Sequence, residues 1–378
     1  MHRHPASPST TVLTDAPDTE GIKYAGSKLK LVPYILSLLK DLEVQTVLDG
    51  FAGTTRVAQA LAKQGYQVIS NDIADWSYEF GLCYLKNRRE PAHYQDLIDH
   101  LNNIRGYNGW FTEHYGGFDY DGLAVQENGH KRLWQVHNTR KLDGIRDEIE
   151  RLQLCPVERA VALTSLILAL DRVDNTMGHF ASYLRRWAAR SYHPLHLQIP
   201  STFVNQHDNQ VLKGDIFEQL PKISVDFAYF DPPYGSNNEK MPPSRVRYAA
   251  YYHIWTTICR HDRPELFGAA ARRKDSRDSL AASIFEEYRR DPCGRYKAVN
   301  AIERLIKKVD ARYVALSYSS GGKATAAELD QILNRHGQLI KTLEIDYKRN
   351  VMAGMRWTHD WVRDAEMPNR EFIFLIEK

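Results

Sequence analysis

The stretch "DFAYFDPPYGSNN", residues 226–238, decides how this chain is read. Phe227-Ala228-Tyr229-Phe230 is an apolar run with the length and content of a buried strand. Pro232 and Pro233 must end it, because neither can donate to a sheet ladder. Asp231 and Tyr234 therefore sit at a strand's carboxyl end, on a stiff turn. In open α/β sheets that end is where ligands bind. Ionised Asp231 is an acceptor only. The Pro232 carbonyl is a second acceptor, and two locked φ angles fix its direction. Two such acceptors suit a planar amino group with two N–H donors, and Tyr234 can stack on the ring that bears it.

Upstream, "TVLDGFAG" reads as a short strand ending in Asp49 and a turn through Gly50 and Gly53. "RVAQALAKQG" predicts a helix with Gly65 just past its end. "YQVISNDI" is the next strand, ending in Asp72. Strand, glycine turn, helix and strand ending in an acid make the first half of a nucleotide-binding βαβ unit. The glycines let backbone approach a ligand, and the helix N-terminus favours negative charge. Asp72 is placed to accept both hydroxyls of a ribose.

The rest of the chain fills in around these strands. "YAGSKLKLVPYILSLL" gives a Gly-Ser turn and then helical spacing at Leu29, Val32, Ile35, Leu36 and Leu39. Residues 76–155 alternate aromatics, Gly, Asn, His and Arg without a clear period, and read as an irregular insertion closed by a helix carrying Ile145, Ile149 and Leu152. "VERAVALTSLILALDRV" is apolar nearly all round, hence a buried helix. "VLKGDIFEQL" predicts a short strand ending at Asp215. Residues 236–300 form a second polar stretch, "ARYVALSYSSGG" a further strand, and "QLIKTLEIDYKR" with "NREFIFLIEK" a closing hairpin. Residues 1–22, rich in Pro, Ser, Thr and Asp, read as a mobile tail without an apolar signal core.

Composition narrows the class. The 378 residues are 43% hydrophobic and 26% charged, an ordinary globular balance. The net charge of +3 is too small to name a partner, but Arg185, Arg186 and Arg190, and Arg272, Arg273, Lys274 and Arg277, cluster locally and can contact phosphates. Cys83, Cys155, Cys259 and Cys293 lie far apart, which argues against a zinc site or a disulfide framework and fits a reducing cytoplasm. His137, His179, His193 and His196 complete no metal-ligand spacing. The longest apolar stretch, from Ala160 to Leu170, is too short to span a membrane.

The acid-Pro-Pro-Tyr turn has a specific chemistry. An exocyclic amine on adenine has its lone pair delocalised into the ring. Hydrogen bonds from both N–H groups to Asp231 and Pro232 pyramidalise the nitrogen and free that pair to attack an electrophilic methyl. This is catalysis by orientation and electrostatics.

In the order Tyr24-Ala25-Gly26-Ser27-Lys28, then Phe51-Ala52-Gly53, an insertion, and Asp231-Pro232-Pro233-Tyr234, the chain resembles the S-adenosylmethionine-dependent DNA adenine-N6 methyltransferases of the amino-methyltransferase α group. These are the DNA adenine methylases and type II modification methylases. The resemblance spans residues 23–378 and implies an α/β, Rossmann-like methyltransferase sheet with helices on both faces. It implies a catalytic domain in two parts, 23–75 and 156–378, separated by a target-recognition region at 76–155, with 236–300 as a polar insertion that assists in contacting DNA.

By resemblance, Tyr24, Gly26, Ser27 and Lys28 contact the methionine half of S-adenosylmethionine, and Asp49, Phe51, Ala52, Gly53, Thr54 and Thr55 line its pocket. Asp72 and Ile73 hold the ribose side, Asp215 and Ile216 flank the cofactor's adenine, Asp231 also borders the cofactor, and Asp231, Pro232, Pro233 and Tyr234 hold the target base. Thr55 departs from the family's usual second glycine, which implies altered backbone approach there. A target adenine inside a duplex must be flipped out, and phosphate contacts from Arg185, Arg186, Arg190, Arg272, Arg273 and Lys274 offset the unstacking. The resemblance further implies a bacterial or phage-encoded monomer paired with a cognate restriction endonuclease or acting as an orphan methylase. Cytosine-N4 methylation, RNA adenine methylation and an inactive DNA-binding subunit are the competing readings.

Overall fold

Val47 and Leu48 are successive residues of one strand, and both are fully buried. Successive side chains of a strand point to opposite faces, so this strand must be covered on both sides. It lies in a seven-stranded sheet: β1 (Thr46–Asp49), β2 (Gln67–Asp72), β3 (Gln210–Lys213), β4 (Ser224–Phe230), β5 (Asp310–Ser319), β6 (Gln338–Asp346) and β7 (Arg370–Glu377), in the order β6-β7-β5-β4-β1-β2-β3. The computed structural model describes residues 15–234, 248–277, 283–346 and 370–378. Strands β1 to β5 pair in parallel, and β7 lies antiparallel between β5 and β6. The antiparallel pairing of β6 with β7 is the one expected of the closing strands from sequence, and β7 lies between β6 and β5.

Alternation divides the core. Val47, Phe227, Tyr229, Tyr313 and Ala315 face one apolar layer, with helices α1 (Val32–Leu39) and α2 (Arg56–Lys63). Their neighbours Leu48, Ala228, Phe230, Val314 and Leu316 face the other, with α11 (Lys297–Lys308) and α12 (Ala326–His336). This is the expected α/β, Rossmann-like sheet covered on both faces. Strand order reverses between β1 and β4: the chain leaves β1 toward β2 on one side, and β4 leads to β5 on the other. A crevice opens at such a switch point, outside the carboxyl ends of the strands.

A third apolar cluster is built on α7 (Pro156–Val173), where every residue from Ala160 to Leu170 is buried. Residues 76–155, expected to be irregular, are mostly helical. They include most of α3 (Asp75–Leu85), then α4 (Gln95–Asn103), α5 (Trp110–Tyr115) and α6 (Val136–Arg151). The period is invisible in α3 because it is buried nearly all round. Helix α5 is short, and Asp143 on α6 supports it by accepting the amides of Gly109, Phe111 and Thr112. Those are donors that a helix start leaves unpaired. Irregular backbone is concentrated in 116–135.

Other boundaries also move. Helix α1 starts at Val32, leaving Leu29 outside it and 49% exposed. Strand β3 ends at Lys213, and Asp215 caps the short helix α8 (Ile216–Gln219) through the Phe217 amide. Residues 18–22, expected in the tail, dock on α2: the carbonyls of Asp18 and Thr19 accept from Lys63 and Arg56, and Ile22 is buried. Residues 1–14 of that tail, 236–247 and 278–282 of the second polar stretch, and 347–349 and 369 of the expected hairpin lie outside the described residues. Among the described residues, no helix is long and apolar enough to cross a membrane.

Candidate active site

Three short segments converge on the crevice. The first is Tyr24–Ser27, a turn closed by the Ser27 amide on the Tyr24 carbonyl at 3.1 Å. Gly26 takes φ of 84° at its third position, the left-handed geometry that a type II turn requires there. Tyr252, between α9 (Tyr248–Tyr251) and α10 (His253–Arg260), holds this turn. Its hydroxyl accepts the Ala25 amide at 2.6 Å, and its ring stacks on Tyr24 at 4.8 Å. The second segment is the turn after β1. A Cβ on Gly50 would lie 2.6 Å from the Phe230 ring, so only glycine lets the ends of β1 and β4 approach this closely. Asp72, at the end of β2, fastens the same turn. Its oxygens accept the Gly53 amide at 2.8 Å and the Ala74 amide at 2.9 Å. The third is Asp231–Tyr234 after β4.

A buried polar cluster ties the third segment to the first. Lys28 Nζ donates to the Tyr234 hydroxyl at 2.6 Å and to Glu371 Oε1 at 2.8 Å, and stands 3.1 Å from Asp231 Oδ1. The Tyr234 hydroxyl reaches both Asp231 and Glu371. The Tyr234 ring leans on Tyr318 at 4.7 Å between centroids. Burial alone would lower the pKa of Lys28, but Asp231 and Glu371 outweigh it and raise it, so the ammonium is held charged. Burial pushes the Asp231 carboxyl up to about 6 against the pull of Lys28. Asp72 is raised by burial and restrained by the Ala74 and Gly53 amides.

Asp49 differs from its neighbours. It is 1% exposed, lines the cavity, and among the described residues no hydrogen bond reaches either oxygen. Burial, then the charges of Asp231 and Asp72, push its pKa from 3.8 to about 8, while the nearby Ala58 and Phe51 amides oppose this without closing to a bond. A buried unpaired carboxylate is costly unless a cation meets it. Because the folded pKa is the higher one, Asp49's contribution to stability is fully present below the ordinary carboxylate range. It declines above that range and is gone once pH has risen through about 8. Asp49→Asn is therefore expected to gain steadily on the parent in urea unfolding of the ligand-free protein from pH 5 to about pH 8, and to level off by pH 9. Parallel stabilities across that range would remove the assigned strain.

The three segments enclose one cavity of about 290 Å³. Tyr24, Gly26, Ser27 and Lys28 line it, as do Asp49, Phe51, Ala52, Gly53 and Thr54. Asp72, Ile73, Asp215, Ile216 and Asp231 to Tyr234 complete the sequence-predicted set around it. Thr55 lies outside the lining. It is fully buried at the start of α2 with φ of 60°, and its hydroxyl accepts from Gln59 at 3.0 Å. The glycine-like torsion is thus kept by a threonine. Thr55→Gly relieves left-handed strain of about 1–2 kcal/mol, but it loses a hydrogen bond of about 1 kcal/mol and adds unfolded-state freedom of about 0.5–1 kcal/mol. Urea unfolding is expected to place the variant within about 1 kcal/mol of the parent, a near-balance of those three terms.

The predicted phosphate contacts divide. Arg185 and Arg186 are exposed. Arg190 is instead held by fully buried Asp174 at 2.9 Å and by the Thr176 carbonyl. Arg273 is 3% exposed and forks onto Asp262 and Asp275. Arg272 donates to the Ser276 carbonyl and stacks on Phe267, and Lys274 pairs with Glu265. Arg273 is thus spent inside the protein and Arg190, its side chain still 37% exposed, is paired with a buried acid: a run of like charges in sequence does not reveal which members meet acids in the fold. Sequence reasoning missed Glu371, Ser317, Tyr248 and Tyr252. Glu371 opens the apolar run of "NREFIFLIEK", and only the register of β7 turns it inward.

Comparison with known proteins agrees with this geometry. Residues 24–320 match the model of the D12 class N6 adenine-specific DNA methyltransferases. The chain is similar to the modification methylase StsI of Streptococcus sanguinis, with 30% identity over 321 residues, 82% of this chain and 46% of that protein. It is 25% identical over 378 residues to the type II methyltransferase M.FokI of Planomicrobium okeanokoites, covering 94% of this chain and 53% of that one. It is 25% identical over 338 residues to M.NlaIII of Neisseria lactamica, covering 87% and 92%. The chain thus spans about half the length of StsI and M.FokI, and nearly all of M.NlaIII. The match covers the turn at Tyr24, the glycine turn after β1 and the Asp-Pro-Pro-Tyr corner together, and the chain belongs to the D12 class of N6 adenine-specific DNA methyltransferases.

Proposed function

We propose that the chain methylates the N6 amino group of adenine within a specific duplex DNA sequence, using S-adenosylmethionine, as the modification enzyme of a restriction–modification system. One observation carries this: Asp231 and Pro232 share a single cavity with the turn after β1, at the switch point of the sheet. The residues fit the cofactor. Its ammonium and sulfonium are cations, and the cavity wall holds Asp49, without a hydrogen-bond partner among the described residues, beside Asp72 and Asp231. Bound S-adenosylmethionine supplies an electrophilic methyl group. Tyr24 to Lys28, Asp49 and the Phe51–Thr54 turn would hold its methionine end, Asp72 its ribose, and Asp215 with Ile216 its adenine.

The chain's own residues then act on the target base. The Asp231 carboxylate and the Pro232 carbonyl accept its two amino protons, which localises the nitrogen lone pair. Lys28 keeps Asp231 ionised and fixed, and Tyr234 anchors the corner to β7 through Glu371. Enclosure of Asp231 requires the target nucleotide to be flipped out of the duplex. Arg185 and Arg186, with the irregular loop 116–135, are the proposed DNA contacts. One copy acts alone, with any cognate endonuclease separate. The intact Lys28–Asp231–Tyr234 cluster counts against an inactive subunit.

The test is to propagate a plasmid with the chain and read it by modification-sensitive long-read sequencing. One short motif with one modified adenine is expected. Modification that is absent, or scattered without a motif, would count against the reading.

A further inference from the structure

Tyr234 has one phenolic proton and two carboxylates within reach of it. Its hydroxyl contacts Asp231 Oδ1 and lies 2.5 Å from Glu371 Oε1. A hydroxyl donates one hydrogen bond at a time, so the two acids compete for it. The hydroxyl sits nearer Asp231, and Glu371 competes for it from the β7 side. Glu371 is 6% exposed, and the same Oε1 also accepts from Lys28 at 2.8 Å and from Ser317 Oγ at 3.0 Å. It comes from β7, a strand that does not line the cavity, so it acts on Asp231 through Lys28 and Tyr234. Resting on the methylation reading above, we propose that Glu371 is a positioning residue: it draws the Tyr234 proton and the Lys28 ammonium toward β7, so that the Asp231 carboxylate keeps its acceptor capacity for the amino group of the target base.

Two consequences follow from this arrangement. Without the Glu371 charge, the phenol turns fully to Asp231 and fills one of its acceptor sites. The like charge that opposes Asp231 ionisation also disappears. Both changes lower the Asp231 pKa, since a hydrogen bond to the ionised form and the loss of a neighbouring anion act in the same direction. The other groups facing Asp231 stay in place in this comparison: Lys28, Asp49 from β1, Tyr229 from β4, and Tyr24 and Tyr248 across the cavity.

The experiment follows the Asp231 carboxyl by carbon-13 NMR in the ligand-free full chain, with Asp231→Asn to assign the signal, and steady-state methyl transfer beside it. In Glu371→Gln, the Asp231 titration is expected to move down by roughly one unit. Its kcat is expected to fall by about tenfold to a hundredfold, the scale of a misplaced catalytic group, while KM for S-adenosylmethionine stays near the parent's. Glu371→Asp keeps the charge, so the titration should return toward the parent's and kcat should recover in part. An unmoved Asp231 titration, or a parental kcat, in Glu371→Gln overturns the proposal. If the glutamine variant does not fold, Glu371→Asp still decides: the retracted carboxylate should lower kcat with the titration in place, and a parental kcat overturns the proposal. The titration needs no turnover. If the parent fails to methylate adenine, the methylation reading falls, and the Glu371–Asp231 coupling still stands or falls by the shift.

Discussion

Replacing Asp231 with alanine is expected to cut methyl transfer by about a hundredfold to a thousandfold, the range seen when one preorganised polar partner of a reacting group is removed, while S-adenosylmethionine binding stays close to the parent's. The aromatic amine is a poor nucleophile because its lone pair belongs to the ring. Two acceptors on one rigid corner change that, and the variant keeps only the Pro232 carbonyl. Cofactor binding survives because its proposed contacts come from Tyr24–Lys28 and from the ends of β1 and β2. The pH profile should carry the same signature. Burial raises Asp231 to about 6, with Lys28 opposing. The parental rate should therefore fall as pH drops through about 6, where the protonated carboxyl presents a donor to an amine that needs an acceptor. Single-turnover rates, together with calorimetric titration of the cofactor, separate the two effects. Near-parental transfer by the alanine variant would remove Asp231 from the chemistry.

Lys28→Met should do wider damage. Lys28 is 8% exposed and is the cation between Asp231 and Glu371. Removing one partner of a buried pair leaves an uncompensated charge, and this typically costs about 3–5 kcal/mol. Here two carboxylates are left behind, so unfolding by urea should show a loss of that size along with loss of methyl transfer. Lys86 is the control. Its partner Asp208 is 77% exposed, and Lys86→Met should cost less than about 1 kcal/mol. Equal losses in the two variants would mean that the buried cluster does not hold the site together.

The strand ends were legible because each closes an apolar run with an acid: Asp49, Asp72 and Asp231 all reach the one cavity. The glycine turn after β1 was legible because close approach of β1 to β4 leaves no room for a side chain at Gly50. What stayed hidden depends on distance along the chain and on register. Glu371 meets Lys28 across 343 positions, and nothing local marks an acid at the head of a strand as an inward one. Helix α3 was hidden because burial on nearly all sides erases the polar face that makes a helix visible. Two members of the arginine clusters were hidden for the opposite reason. Arg190 and Arg273 look like surface charge in sequence, yet each is neutralised by an acid elsewhere in the fold, Asp174 for one and Asp262 with Asp275 for the other.

The most direct measurement of the central claim is the identity of the methylated atom. Purified chain, duplex DNA and S-adenosylmethionine with a labelled methyl are incubated, the DNA is digested to nucleosides, and the products are resolved by mass spectrometry. The account predicts that the label appears in N6-methyladenosine of the deoxy series and nowhere else. Label in N4-methylcytosine, or in no nucleoside at all, would contradict it.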